Sequence, residues 1–283
     1  MPQLDEITYS RDVCVAAIRD YYQFLTKLYL NPSDVISPPP EGWPSITAST
    51  LEELDKTEEV ISLLRHLPYI SEPPSYRSKS QAIPYCYFAD WQELAGQIRD
   101  GGTEAEGVRI MTEMFLPDED MVPPHVVGLT FGGRDNTIFL LDTELGVVYW
   151  VQCPADIGRH DEFWYERQVH DDAEDHAPEN EAAWRGDSPA WPVADFFELL
   201  KDQYRKLRFL PLSSRTVIDV WSRLGPGTEG LIPMVRDIYR EHAWPDLEGY
   251  RKRECLEAVQ AGLRERYPRH ADRPEEGGED ESE

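Results

Sequence analysis

The chain has 283 residues, 40% of them hydrophobic and including 14 Tyr, 9 Phe and 8 Trp, enough to pack one large core or two small ones. Its 54 acidic against 28 basic residues leave a net charge of −26, which opposes binding to nucleic-acid phosphate or an anionic membrane and favours cationic partners. No run reaches the roughly 18 apolar residues of a membrane span, and the N-terminal stretch carries acids in place of a signal-peptide apolar region, so a cytoplasmic or nuclear protein is expected.

In chain order, Ser10 is placed to cap a helix whose stripe is Cys14, Ala17, Tyr21, Leu25 and Leu28, stopped near Asn31-Pro32. Pro38, Pro39, Pro40, Gly42 and Pro44 then hold the chain extended around Trp43. Ser49 with Glu52, and Thr50 with Glu53, have capping-box spacing and open a second helical region through Leu67, closed by Pro68. Residues 71–80 read as a polar linker, residues 83–89 as a strand, and Asp90 as the cap of a short helix ended by Gly101-Gly102.

Residues 122–152 are the densest apolar stretch. Residues 137–142 and 147–151 are β-branched and aromatic runs of strand length, joined by a short segment containing Gly146, which predicts a hairpin. Gly132, Gly133, Arg134, Asp135 and Asn136 form a turn cluster that makes residues 126–131 a third, antiparallel strand. Residues 156–187 carry eleven acids against three Arg, an insertion too acidic for a core of its own; its aromatic ends are expected to dock and its middle, residues 170–181, to stay mobile. Val193, Phe196, Phe197, Leu200, Tyr204 and Leu207 form an amphipathic stripe for a helix laid across one sheet face. Short helices are expected over residues 217–224, around Ile232 to Tyr239, and from Leu247 to Tyr267, with a disordered acidic tail over residues 269–283. The fold class is therefore α+β: a small, mainly antiparallel curved sheet flanked by helices, with N- and C-terminal helical additions, in a single domain over residues 1–268.

Chemistry-bearing clusters are few. Cys14, Cys86, Cys153 and Cys255 are widely separated, with no CxxC and no His at zinc spacing, which predicts reduced thiols. His170, Asp171, Asp172, Asp175 and His176 are metal-ligand types, but His at i and i+6 do not share a helix face, so no metal or cofactor is expected there. Asp135, Asp142 and Glu144 sit at predicted strand ends, where carboxylates serve turns and, in a hydrolase alternative, acid–base chemistry. Tyr149 and Trp150 are adjacent and must face opposite sides of a strand; one is expected in the core and the other on a surface. Arg134, Asp135, Asp142, Tyr149 and Trp150 are accordingly the candidate partner-binding residues, since an aromatic anchor beside an Arg is typical of interface hot spots.

Gly132, Gly133, the strand ending in Asp142, Gly146 before Val148-Tyr149-Trp150, and the helix around Phe196-Phe197 together resemble the core of the SUKH superfamily, which includes fungal cell-wall-synthesis regulators and bacterial toxin-immunity proteins. The resemblance covers residues 123–210, and the flanking helical blocks look like those of fungal proteins of similar length. It implies the α+β fold and a noncatalytic, partner-binding role, with a basic protein as partner; an enzyme and a scaffold subunit are the competing classes.

Overall fold

A computed structural model of the chain describes residues 2–71, 79–113, 122–132 and 136–272. Ser10 accepts the Val13 amide at the start of α1 (Arg11–Leu28), which buries Cys14, Ile18, Tyr21, Leu25 and Leu28. β1 (Val35–Ile36) pairs with β2 (Tyr69–Ile70), and α2 (Glu58–His66) lies between them in sequence. Thr57 caps α2, in place of Ser49 or Thr50, because Thr47, Ser49 and Thr50 spend their hydroxyls on one another and on the Ser45 carbonyl. The strand expected over residues 83–89 shrinks to β3 (Tyr87–Phe88), since Tyr85 takes φ 58 and breaks the extended path. Asp90 caps α3 (Trp91–Arg99) as its spacing predicts, Gly101 at φ 70 ends it, and α4 (Ala105–Thr112) follows without a clear sequence signal.

The main sheet contains β4 (Val126–Gly128), β6 (Ile138–Asp142), β7 (Val147–Val151) and β8 (Ala190–Pro192) in the order β4-β6-β7-β8, every pair antiparallel. Residues 126–131 do form the third strand of the meander, bent at Leu129, so that β5 (Thr130–Phe131) leaves the sheet to pair with β3. The bend brings β4 hard against α4: a Cβ at Gly128 would lie 2.0 Å from the Thr112 carbonyl oxygen. Gly128→Ala is therefore expected to lower unfolding free energy in urea by about 1–3 kcal/mol, and an unchanged midpoint would show that the approach is not this tight.

Four helices, α5 (Ala155–Gly158), α6 (Glu162–Tyr165), α7 (Ala173–His176) and α8 (Glu179–Asp187), occupy the stretch between β7 and β8. α9 (Val193–Arg205) crosses one face of the sheet, with Phe196 4.7 Å from Phe139 between ring centroids, and packs on α1, where the Tyr21 and Phe197 rings stand 5.5 Å apart; Ile157 of α5 and Trp164 of α6 join that same core, while Trp184 of α8 lies on the other face. Residues 217–224 do not form the expected helix. β9 (Phe209–Pro211) and β10 (Val217–Asp219) form a hairpin, and Asp219 turns the chain by accepting the Trp221 and Ser222 amides; β-branched Val217 and Ile218 suit a strand better than a short helix.

The C-terminal helices α10 (Leu231–Glu241) and α11 (Lys252–Arg266) join the same core: Tyr239 donates to the Pro211 carbonyl, Gln260 to the Leu212 carbonyl, and the Lys252 ammonium to the Thr26 and Leu30 carbonyls at the end of α1. The body runs past the boundary read from sequence. Residues Pro268–His270 form a 3-10 turn, Ala271 packs on the core, and the Asp272 amide donates to Gln260, while residues 273–283 of the acidic tail lie outside the described residues. All four cysteines are free thiols, three buried and Cys153 half-buried, as their spacing predicts. No helix among the described residues is long and apolar enough to cross a membrane.

Candidate functional site

Ile138 to Leu141 and Val147 to Val151 are apolar at nearly every position, the pattern of strands buried on both faces. One face, with Phe139, Leu141, Val148 and Trp150, meets α9. The other, with Val126, Leu140, Val147 and Tyr149, is covered by Trp184 of α8, whose ring stands edge-on to Tyr149 at 5.2 Å. Both members of the Tyr149-Trp150 pair are thus buried, 4% and 3% exposed. The outward-facing aromatic expected there does not exist, because the insertion supplies a second layer.

The insertion is held by neutralised charge as well as by rings. Arg185 donates from Nη1 to Asp142 at 2.8 Å and from Nε and Nη2 to Glu181 at 2.9 and 2.8 Å, with its side chain and that of Asp142 almost wholly buried. Asp161 is paired with Lys206 and Arg208, and the indoles of Trp164 and Trp191 donate to Asp202 and to the Trp164 carbonyl. Residues 170–181, expected to be mobile, instead include α7, with Asp172 at its cap and Ala173 buried, and the first turn of α8 with its buried Glu181. Its core is borrowed from the sheet, which is why its own composition does not reveal it.

Asp142, expected at the surface, is fully buried. One carboxylate oxygen accepts the Glu144 and Leu145 amides and so shapes the hairpin turn; the other meets Arg185 and lies 3.6 Å from His125 Nε2. Burial pushes its pKa up, but His125, Arg185 and the Leu145 amide outweigh burial and hold it below the usual carboxylate range. His125 is the converse: burial pulls its pKa down, and Asp142 and Glu144 outweigh that and raise it. A raised imidazole stabilises the fold fully below its unfolded value, about 6.5, and loses that contribution as pH rises through the folded value. Asp142 contributes above its unfolded value, about 3.9, and loses it only as pH falls through the folded one. Urea unfolding across about pH 6 to 8 is therefore expected to show wild type losing stability relative to His125→Gln as pH rises; parallel profiles would contradict the assignment.

Between the insertion and the sheet edge lies a cleft of about 280 Å³ whose walls include Tyr165, Gln168, His170, His176, Asp187 and Ser188. Tyr149 and Arg185 form part of its floor. The two histidines predicted as a cluster do share this cleft, and each has one ring nitrogen on a backbone carbonyl: His170 on Tyr165 and His176 on Asp172. They do not combine with a third side chain of metal-ligating type among the described residues. Of the other residues singled out from sequence, Asp142 and Tyr149 meet at Arg185 and Trp150 lies on the opposite sheet face, while Arg134 and Asp135 fall outside the described residues.

Tyr165 of α6, 40% exposed, lines the cleft, and Phe163 of the same helix is 51% exposed, with the Arg167 guanidinium 3.6 Å from its ring centroid. Arg185, Gln168 and Ser188 were not singled out by sequence; the one available signal was Glu181 and Arg185 at i, i+4 spacing beside Trp184. Compared with protein-family models, with curated proteins and with solved structures, the chain matches none.

Proposed function

We propose that the chain is a noncatalytic interaction protein that binds a basic protein segment on the surface the insertion builds, across the α6 aromatics and the mouth of the cleft. The observation that carries this reading is the pair of exposed rings, Phe163 and Tyr165, on a segment whose exposed carboxylates include Glu162, Glu166, Asp172, Glu174 and Asp187, with Tyr165 and Asp187 lining the cleft. Most large apolar side chains of the chain are buried, so two exposed rings on one short helix are a concentrated apolar feature, and their acidic surround selects for positive charge. The net charge of −26 and the SUKH resemblance point to the same class of partner. This reading replaces the meander edge as the binding surface, because Asp142, Tyr149 and Trp150 are buried.

The test is anisotropy titration of the full chain with a short peptide rich in Lys and Arg. Charge alone draws such a peptide to so acidic a protein, so the decisive variant is Phe163→Ala/Tyr165→Ala. It is expected to weaken binding about tenfold or more while leaving the unfolding midpoint unchanged, since neither ring is core. Equal affinity of variant and wild type at physiological salt would refute the reading.

A further inference from the structure

We propose that the cleft is a socket for one guanidinium group, taken from an arginine side chain of the basic partner. This rests on the interaction reading above and specifies what is recognised. The cleft, at about 280 Å³, sits at the lower edge of the roughly 300–1,000 Å³ of small-molecule sites, which suits one inserted side chain better than a large cofactor.

Its walls hold hydrogen-bonding capacity that the chain does not use. Ser188 is 5% exposed and lines the cleft, and its hydroxyl has no hydrogen bond within the described residues. Gln168, also 5% exposed, gives its amide N–H to the Gly158 carbonyl and leaves its side-chain oxygen as an acceptor with no donor among the described residues. Neither oxygen is sealed from solvent, so both are open to a guest in the cleft, and a donor-rich one would find two acceptors there. A guanidinium offers five N–H donors in one plane and no acceptor, the complement of that pair.

Charge selects the same guest. Arg185 on the floor is already committed to Asp142 and Glu181, which leaves Asp171 and Asp187 against Arg159 in the lining, one charge negative. Among the described residues Asp187 has no ion-pair partner, so its carboxylate is open to a guest at the wall. The Tyr165 ring at the mouth gives a planar cation a surface to stack on, as Arg167 stacks on Phe163 within the same segment. An ammonium has the charge but neither the plane nor the fork, so lysine should be the poorer fit.

The experiment titrates the full chain with three peptides alike except at one central position, Arg, Lys or citrulline, in an otherwise Lys-rich sequence. The Arg peptide is expected to bind several-fold more tightly than the Lys peptide and about tenfold more tightly than the citrulline peptide. Ser188→Val and Asp187→Asn are each expected to abolish the preference for Arg over Lys. Because Ser188→Val places a methyl group in a tight wall, the side-chain amide resonance of Gln168 in wild-type protein serves as a variant-free readout, and it should shift with the Arg peptide and not with citrulline. Equal affinity for Arg and Lys peptides with an unmoved Gln168 resonance would overturn the socket while leaving the interaction reading standing. If, in addition, no peptide distinguishes wild type from Phe163→Ala/Tyr165→Ala, both fail together.

Discussion

Replacing Arg185 by Met is expected to lower the unfolding free energy by about 3–5 kcal/mol, because it strips the counter-charge from two carboxylates that water cannot reach. Asp142 is fully buried and Glu181 5% exposed, and among the described residues neither has another cationic partner of comparable closeness: His125 stands 3.6 Å from Asp142. The loss is a property of the orphaned acids more than of the pair, so Arg185→Met combined with Asp142→Asn and Glu181→Gln should recover part of it. Chemical denaturation of wild type, the single variant and the triple variant measures both effects. A loss below about 1 kcal/mol in the single variant would place Arg185 among ordinary surface ion pairs and remove the clamp between insertion and sheet.

Tyr149→Ala and Trp150→Ala are each expected to cost about 3–5 kcal/mol, the range for emptying a core aromatic site. They should do so on different sides of the sheet. Trp150 leaves a hole against Phe139 and Phe196, 4.9 and 6.2 Å away between ring centroids, and should weaken the whole body. Tyr149 leaves one against Trp184, and the Arg185 guanidinium lies 5.1 Å from its ring centroid, so its effect should be non-additive with that of Arg185→Met. Fluorescence-monitored unfolding with hydrogen exchange separates the two. If either alanine variant is as stable as wild type, that side of the sheet is not covered.

Much of the fold could be read locally because its signals are local. Ser10 and Asp90 are caps within three residues of the amides they accept, the α9 stripe from Val193 to Leu207 is written at helical spacing, and the 142–146 turn ends in Gly146 at φ 71. What stayed hidden depends on residues far apart in sequence. Asp142 looks like any turn aspartate until Arg185, 43 residues on, meets it. The apolar continuity of β6 and β7 fits burial on two faces, but the expectation of one surface-facing aromatic at Tyr149-Trp150 missed it, because which segment supplies the second layer is not a property of those strands. The insertion reads as too acidic to fold because its surplus carboxylates point to solvent, while Ile157, Trp164, Ala173 and Trp184 find their partners on the body. At residues 217–224 the helical spacing of Val217, Val220, Trp221 and Leu224 competed with strand propensity, and pairing of Val217 with Pro211 won.

Residues 156–187 are a folded part of this domain that shapes the cleft, with α8 covering one sheet face and Ile157 and Trp164 joining the core on the other. Amide hydrogen exchange by mass spectrometry tests it directly, because the Val169 amide bonds to the Ala190 carbonyl, Trp150 to the Pro189 carbonyl, and α8 closes over Tyr149. Peptides spanning residues 169 and 179–191 are expected to be protected in wild type within a few-fold of those from β6 and β7, and to lose that protection selectively in Arg185→Met. Exchange across residues 169–187 at the rate of an unstructured chain, with the strands still protected, would contradict the account.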